Sequence, residues 1–313
     1  MVSDALKKII KKLLADKKWA RDALRFFEAC KYMDTKVFDV ERGGRCIREA
    51  LESGTPQAIG KIGSAELYAI RKYLRCQSHP DVLDLTAYDR KTLGLFPNTL
   101  ESLERYTRLM TDDILPELTV LAVWFNLGEA SIVKKHASQA KKCPIVSLES
   151  YGLAHERWTS ALKGKKVLVI SPFVKTIERQ HKKRAEIWSG CEDILPEFDL
   201  QLIKAPYHID LVPPTHSDWF AVLDDLKRQM TSLDFDIALI GASVFSLPLA
   251  VHAKRLGKQG IHLGGALQIY FGITGNRWKN NPVISKFHNE YWTRPLPEET
   301  PSNNAIIENA AYW

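Results

Sequence analysis

Apolar residues recur along this chain with two different spacings. Over residues 3–30 they fall three and four apart. Ala5, Leu6, Ile9, Ile10, Leu13 and Leu14 share one face, while Lys7, Lys8, Lys11 and Lys12 share the other, which predicts an amphipathic helix. Elsewhere the apolar residues gather in short runs, at 58–62, 118–124, 144–148, 167–170, 200–204, 237–240 and 260–263. Runs this short and continuous suit strands covered on both faces, as in a parallel sheet between two helix layers. Helical spacing returns between them: at 40–54, 66–74 and 99–113, from Asn126, at 153–162, beyond Phe173, at 219–232, and from Ser243 to Gly257. This alternation predicts an α/β fold, a Rossmann-like and mostly parallel sheet flanked by helices, with an N-terminal helical extension.

The segment 234–278 is the most informative. A strand ending at Gly241, a helix for which Ser243 is the expected cap, and a strand running into Gly264-Gly265 make one βαβ unit with glycine at both strand ends. In an open parallel sheet those ends border the ligand crevice, and backbone without a Cβ approaches a diphosphate closely. A similar strand-to-helix turn reads Gly63-Ser64-Ala65-Glu66. Either Ser64 and Glu66 simply cap the helix, or Glu66 faces the crevice. Glu149 stands at the end of another apolar run. Ser171 and Lys175 flank a helix start where free N–H groups would favour a phosphate, while Lys182, Lys183 and Arg184 read as a solvated face. Two further segments, 76–98 and the Pro- and His-rich 205–218, are long irregular loops, and the first is expected to lie over the site. The closing stretch is aromatic, with Tyr291, Trp292, Tyr312 and Trp313 near His288, suited either to wrapping the surface or to stacking on a base or sugar. The chain thus divides into a helical segment (1–55), a first α/β half with acceptor and catalytic residues (56–163), a nucleotide-binding half (164–280) and an aromatic tail (281–313).

Several chemistries are excluded by pattern. The turns lack G-x-G-x-x-G, no Walker lysine follows a Gly-rich loop, and Gly241-Ala242-Ser243-Val244-Phe245 lacks the second glycine of a nucleophile elbow. The histidines have no zinc-site spacing. With 44 Lys and Arg against 37 Asp and Glu, the 313-residue chain carries a formal charge of +7. That excess suits a phosphorylated ligand, a membrane surface or nucleic acid; the basic residues are dispersed, and no nucleic-acid motif is present, so nucleic acid is not an expected partner. Five widely separated cysteines without a CxxC pair point to free thiols in a reducing compartment. No apolar run approaches the ~20 residues of a membrane span, so a cytoplasmic protein is expected. The basic helix at 3–15 docks either on the protein's own core or peripherally on an anionic membrane.

A resemblance sharpens this outline. KIGSAEL, KKVLVISPFVKTIERQ, LQLIKAP, the 236–278 stretch and the closing HNEYW and RPLPEETP segments resemble a group of bacterial and large-virus proteins that is similar to the GT-D-type glycosyltransferases. It covers the chain from about Ala58 onward. The resemblance implies transfer of a sugar from a nucleoside diphosphate sugar to a glycan hydroxyl, with inversion at the anomeric carbon as the expected course. The family pattern places an Asp-x-Glu at a strand end, associated with a divalent metal. Here Ser64-Ala65-Glu66 keeps only the glutamate, so Mn or Mg becomes optional, with Glu66 the sole metal-ligand candidate. Lys175, Lys204 and Arg277 are then candidate cations for the leaving diphosphate. Glu66 is the first candidate for general base and Glu149 the second. Gly63, Ser64, Gly241, Ser243, Gly264 and Gly265 are expected at the nucleotide sugar, Ser171 and Lys175 at its diphosphate, and Lys204, Arg277 or His288 against donor or acceptor. The alternative is a protein that binds a nucleotide or glycan without catalysis.

Overall fold

Seven short strands carry side chains that alternate between two cores. The structure, a computed structural model, describes residues 18–78 and 93–313. The strands are β1 (Gln57–Gly60), β2 (Val120–Val123), β3 (Lys141–Pro144), β4 (Lys166–Ser171), β5 (Asp199–Lys204), β6 (Ile237–Ile240) and β7 (Gln259–His262). All pairings are parallel, in the order β3-β2-β1-β7-β6-β4-β5. Ala58, Leu121, Leu168, Ala238 and Ile240 point into one core, and their neighbours Ile59, Val120, Val167, Ile237 and Leu239 into the other. With both faces covered, the central strands read as unbroken apolar runs.

The helices sort onto the two faces accordingly. α1 (Lys18–Cys30) precedes α2 (Val40–Glu52), which Asp39 caps by accepting from Arg42 N. Next come α3 (Ser64–Ser78), α4 (Leu100–Arg108) and α5 (Glu129–His136). α6 (Val174–His181), α7 (Arg184–Ile187), α8 (Trp219–Thr231), α9 (Ser246–Arg255) and α10 (Leu267–Tyr270) complete the set. α3, α5, α8 and α9 supply Leu67, Ile70, Val133, Trp219 and Leu249 to the first core, whereas α2, α6 and α10 supply Ile47, Ile177 and Ile269 to the second. The chain therefore leaves β1 and β6 toward one face and leaves β7, which lies between them, toward the other. That divergence opens a crevice at the carboxyl end of β7.

Two predicted elements are displaced. The strand expected at 144–148 is Lys141–Pro144, followed by a 3₁₀ turn over Ile145–Leu148. As an edge strand it carries lysines, which hid it from a search for apolar runs, and at Pro144 the chain loses an N–H for the ladder. The helix expected at 153–162 is instead two 3₁₀ turns, Ser150–Gly152 and Trp158–Leu162. Between them Ala154 N and Glu156 N donate to the Glu41 carboxylate rather than to carbonyls one turn back. The basic face at 3–15 and most of the 76–98 loop lie outside the described residues. No described helix is long and apolar enough to cross a membrane. The aromatic tail wraps the surface: Thr274 N donates to Thr293 O, Asn276 N to Trp313 O and Arg277 N to Ala311 O.

Candidate functional site

Charged side chains converge at the crevice beside β7. Lys61 follows β1 directly, and the turn through Ile62 and Gly63 places Glu66 in the first turn of α3. Both are buried, at 9% and 5% exposure. The Glu66 carboxylate folds back over Gly63, where any Cβ would collide with Oε2, so glycine is needed there for the carboxylate to take this position. Burial pushes the Glu66 carboxyl up, opposed by a hydrogen bond from its own backbone N–H and by the nearby Lys61 ammonium. Burial pushes the Lys61 ammonium down, opposed by Glu149 and Glu66 and reinforced by Arg277. The ammonium lies 5.0 Å from the centre of the Trp124 ring, at the end of β2, within cation–π range.

β7 contributes His262. Its Nδ1–H donates to the Lys61 carbonyl at 3.1 Å, since a carbonyl can only accept, which leaves Nε2 as the bare nitrogen. Burial first, then the Lys61 charge, pushes this imidazole down to about 3, so it is neutral at physiological pH. Gly264, at φ +61, follows; a Cβ there would come within 3.4 Å of His262 Nε2 and 3.6 Å of Lys61 Nζ. A side chain would thus fill the space beside both nitrogens as well as strain the backbone.

The remaining members arrive from farther along the chain. Glu149 ends the 3₁₀ turn after β3, and the buried Tyr270 hydroxyl pins that turn by donating to Leu148 O at 2.6 Å and accepting from Ser150 N at 2.7 Å. Burial raises the Glu149 carboxyl, with Lys61 opposing. Arg277 stacks 4.6 Å from the Tyr312 ring and pairs with Glu308. The fully buried Tyr106 hydroxyl has no hydrogen-bond partner among the described residues and is pushed up by burial and by the neighbouring Glu66. Two carboxyls held above their ordinary range near a desolvated lysine are groups of the kind that general acid–base chemistry uses beside a cation.

The other expected site residues fare differently. Ser64 begins α3, with its Oγ accepting from Asn126 Nδ2 at 3.3 Å on the crevice side. Gly241 packs against the Gly264 carbonyl and Leu267, and Gly265 lies under the Tyr312 ring. These two glycines permit close approach of the chain to itself, a packing reason for glycine there that needs no nucleotide. Ser243 does not cap α9: it sits at φ +50, exposed, in a 3₁₀ turn, and it is Ser246 Oγ that accepts from Ala242 N, at 2.8 Å. The expected diphosphate place at α6 is filled from within. Lys175 N and Thr176 N donate to the Glu299 carboxylate at 2.8 and 2.9 Å, as does the Thr176 hydroxyl, while the Lys175 ammonium turns out toward Glu298. Ser171 Oγ accepts from Phe173 N. Lys204 lies exposed over Tyr207 on the edge strand, and His288 packs on Trp292 beside Trp188. None of these four joins the Lys61 cluster.

Lys61, His262 and Trp124 carried no sequence signal, because each is one polar or aromatic residue in an apolar run, and Tyr106 carried none because it is one residue of an amphipathic helix. Among the described residues no group of three His, Cys, Asp or Glu lies close enough to hold a metal ion. Glu66 beside a lysine is a poor donor set for Mn or Mg, which take several oxygen ligands. Comparison of the chain with models of protein families, with curated proteins and with solved structures finds no match.

Proposed function

We propose that this chain is a glycosyltransferase that moves a sugar from a nucleoside diphosphate sugar to a glycan hydroxyl with inversion. The observation that carries the reading is the Glu66 carboxyl, buried at a strand's carboxyl end beside Lys61 and taking no hydrogen bond from another of the described residues. A carboxylate whose affinity for a proton is raised by burial is a stronger general base. In the proposed step the acceptor hydroxyl gives its proton to Glu66 as its oxygen bonds the anomeric carbon. The bond from that carbon to the diphosphate oxygen breaks, and its electron pair leaves with the diphosphate. Lys61 then joins Arg277 as a cation that holds the diphosphate charge, in place of Lys175 and Lys204. Glu149, also near enough to Lys61 to act on its charge, is the second candidate base. No step is assigned to Mn or Mg.

The test is release of nucleoside diphosphate from a panel of UDP, GDP and dTDP sugars with glycan acceptors, for the wild type and Glu66→Gln. Full turnover by the variant would remove Glu66 from the mechanism. The second reading, a protein that binds a nucleotide or glycan without transfer, is favoured by Ser64 at the position of the family's aspartate. It predicts a rise in Tm with a nucleotide and no donor cleavage by the wild type under any condition.

A further inference from the structure

α1 is an amphipathic helix mounted backwards. In steps of 100° per residue, Phe26, Phe27 and Cys30 share one face and Glu28 lies on the other. The protein holds the polar side: Glu28 is fully buried, its carboxylate accepts from Ala130 N at the start of α5 at 2.9 Å, and Lys31 pairs with it at 2.7 Å. Tyr32, just beyond the helix, is buried with its ring edge-on to Phe125. The apolar side faces outward. Phe26 and Phe27 are each 66% exposed and Met33 is 88% exposed. The two phenylalanines and Met33 are the three most exposed large apolar side chains among the described residues, and they fall within eight positions of sequence.

Two features identify what this face meets. In sequence, the first 36 residues carry ten Lys and Arg against five Asp and Glu, with seven of the ten basic residues at or before Arg21, so most of the chain's net positive charge is in the stretch that leads into and begins α1. Leu127 is exposed as well, in the loop after β2 that also carries Trp124 and Asn126 and adjoins the Glu28 contact. An outward apolar face, a basic flanking sequence and bulky aromatic residues are the requirements for insertion into the interface of an anionic bilayer. We infer that the outer face of α1, with Met33 and Leu127, docks this protein on an anionic lipid surface, with the Trp124 side of the crevice turned toward the membrane. The inference does not depend on glycosyl transfer.

The experiment is flotation of the full-length protein with vesicles of phosphatidylcholine alone and of equimolar phosphatidylcholine and phosphatidylglycerol. Wild type is expected to float with the anionic vesicles only, and less at high salt. Replacing Phe26 and Phe27 together by Ser is expected to weaken binding about tenfold or more, with Tm unchanged. In a Phe27→Trp variant, tryptophan emission is expected to shift to the blue on addition of anionic vesicles. The inference is overturned if wild type does not float. It is equally overturned if the emission of the Phe27→Trp variant stays fixed, or if the serine variant floats as wild type does. A wild-type dimer that the serine variant dissociates, without vesicle binding, would overturn it by assigning the face to a second copy. A large fall in Tm of the serine variant, without a vesicle effect, would overturn it by assigning the face to the chain's own preceding segment.

Discussion

Glu66 and Glu299 are both buried glutamates beside strand carboxyl ends, and their surroundings differ in one respect. Glu299 receives hydrogen bonds from two backbone N–H groups and the Thr176 hydroxyl at the start of α6, and Trp313 Nε1 donates to its carbonyl at 3.0 Å. Glu66 receives one from its own N–H and is left with a lysine nearby and the Tyr106 hydroxyl, which has no partner among the described residues. Donors that converge on a buried carboxylate offset its desolvation and make it part of the fold. A buried carboxylate without them destabilises the fold and is retained where chemistry needs it. The anion-ready helix start at α6 is therefore a structural joint between tail and sheet, whereas the crevice beside β7 is the candidate site.

The contrast can be broken in four ways. The largest effect is expected from Glu66→Gln, which should lower kcat by roughly 10²- to 10⁴-fold while holding or raising Tm; a variant with wild-type turnover would end the catalytic assignment. Next, Glu299→Ala should cost about 3 kcal/mol of stability, because it leaves buried donors unpaired. A denaturant titration measures this, and a midpoint equal to wild type would mean that the tail is not joined through Glu299.

The third test is a pH dependence. Glu129, buried at the start of α5, accepts from Trp124 N and Asn126 N, yet burial raises its carboxyl from the usual 4.5 to about 7. The folded state thus binds this proton more tightly than the unfolded state. The associated stability is complete below about pH 4.5 and is lost as pH rises through about 7, a change of at most roughly 3 kcal/mol. Wild-type Tm should therefore fall between pH 5 and pH 8 relative to Glu129→Gln, and parallel curves would reject this. The smallest effect concerns Lys61→Met. It leaves the buried Glu66 and Glu149 without their nearby cation, a loss that proton uptake by these carboxyls limits, and should lower stability by about 1 kcal/mol while weakening nucleotide binding in a titration; unchanged affinity would remove Lys61 from the diphosphate site.

Much of the fold was legible because apolar runs of strand length and helical spacing alternate, and burial on both faces writes a central parallel strand as an unbroken run. β6, β4 and β5 lie close to their predicted positions. β3 was displaced because Lys141 and Lys142 on an edge strand break that pattern. Of the site, Glu66 was legible from the turn Gly63-Ser64-Ala65 before it, and Arg277 only as a scattered cation. Lys61 and His262 were not legible, since residues 201 positions apart meet only when β1 pairs with β7.

The sequence by itself determined the layered α/β architecture, since hydrophobic periodicity is local and each element must bury its apolar side. Which charged groups share a buried space, and which helix start is already filled by the chain's own carboxylate, was decided by the tertiary structure alone. Strand order and the path of the tail bring distant residues together, and the protonation of a buried group depends on the neighbours so gathered.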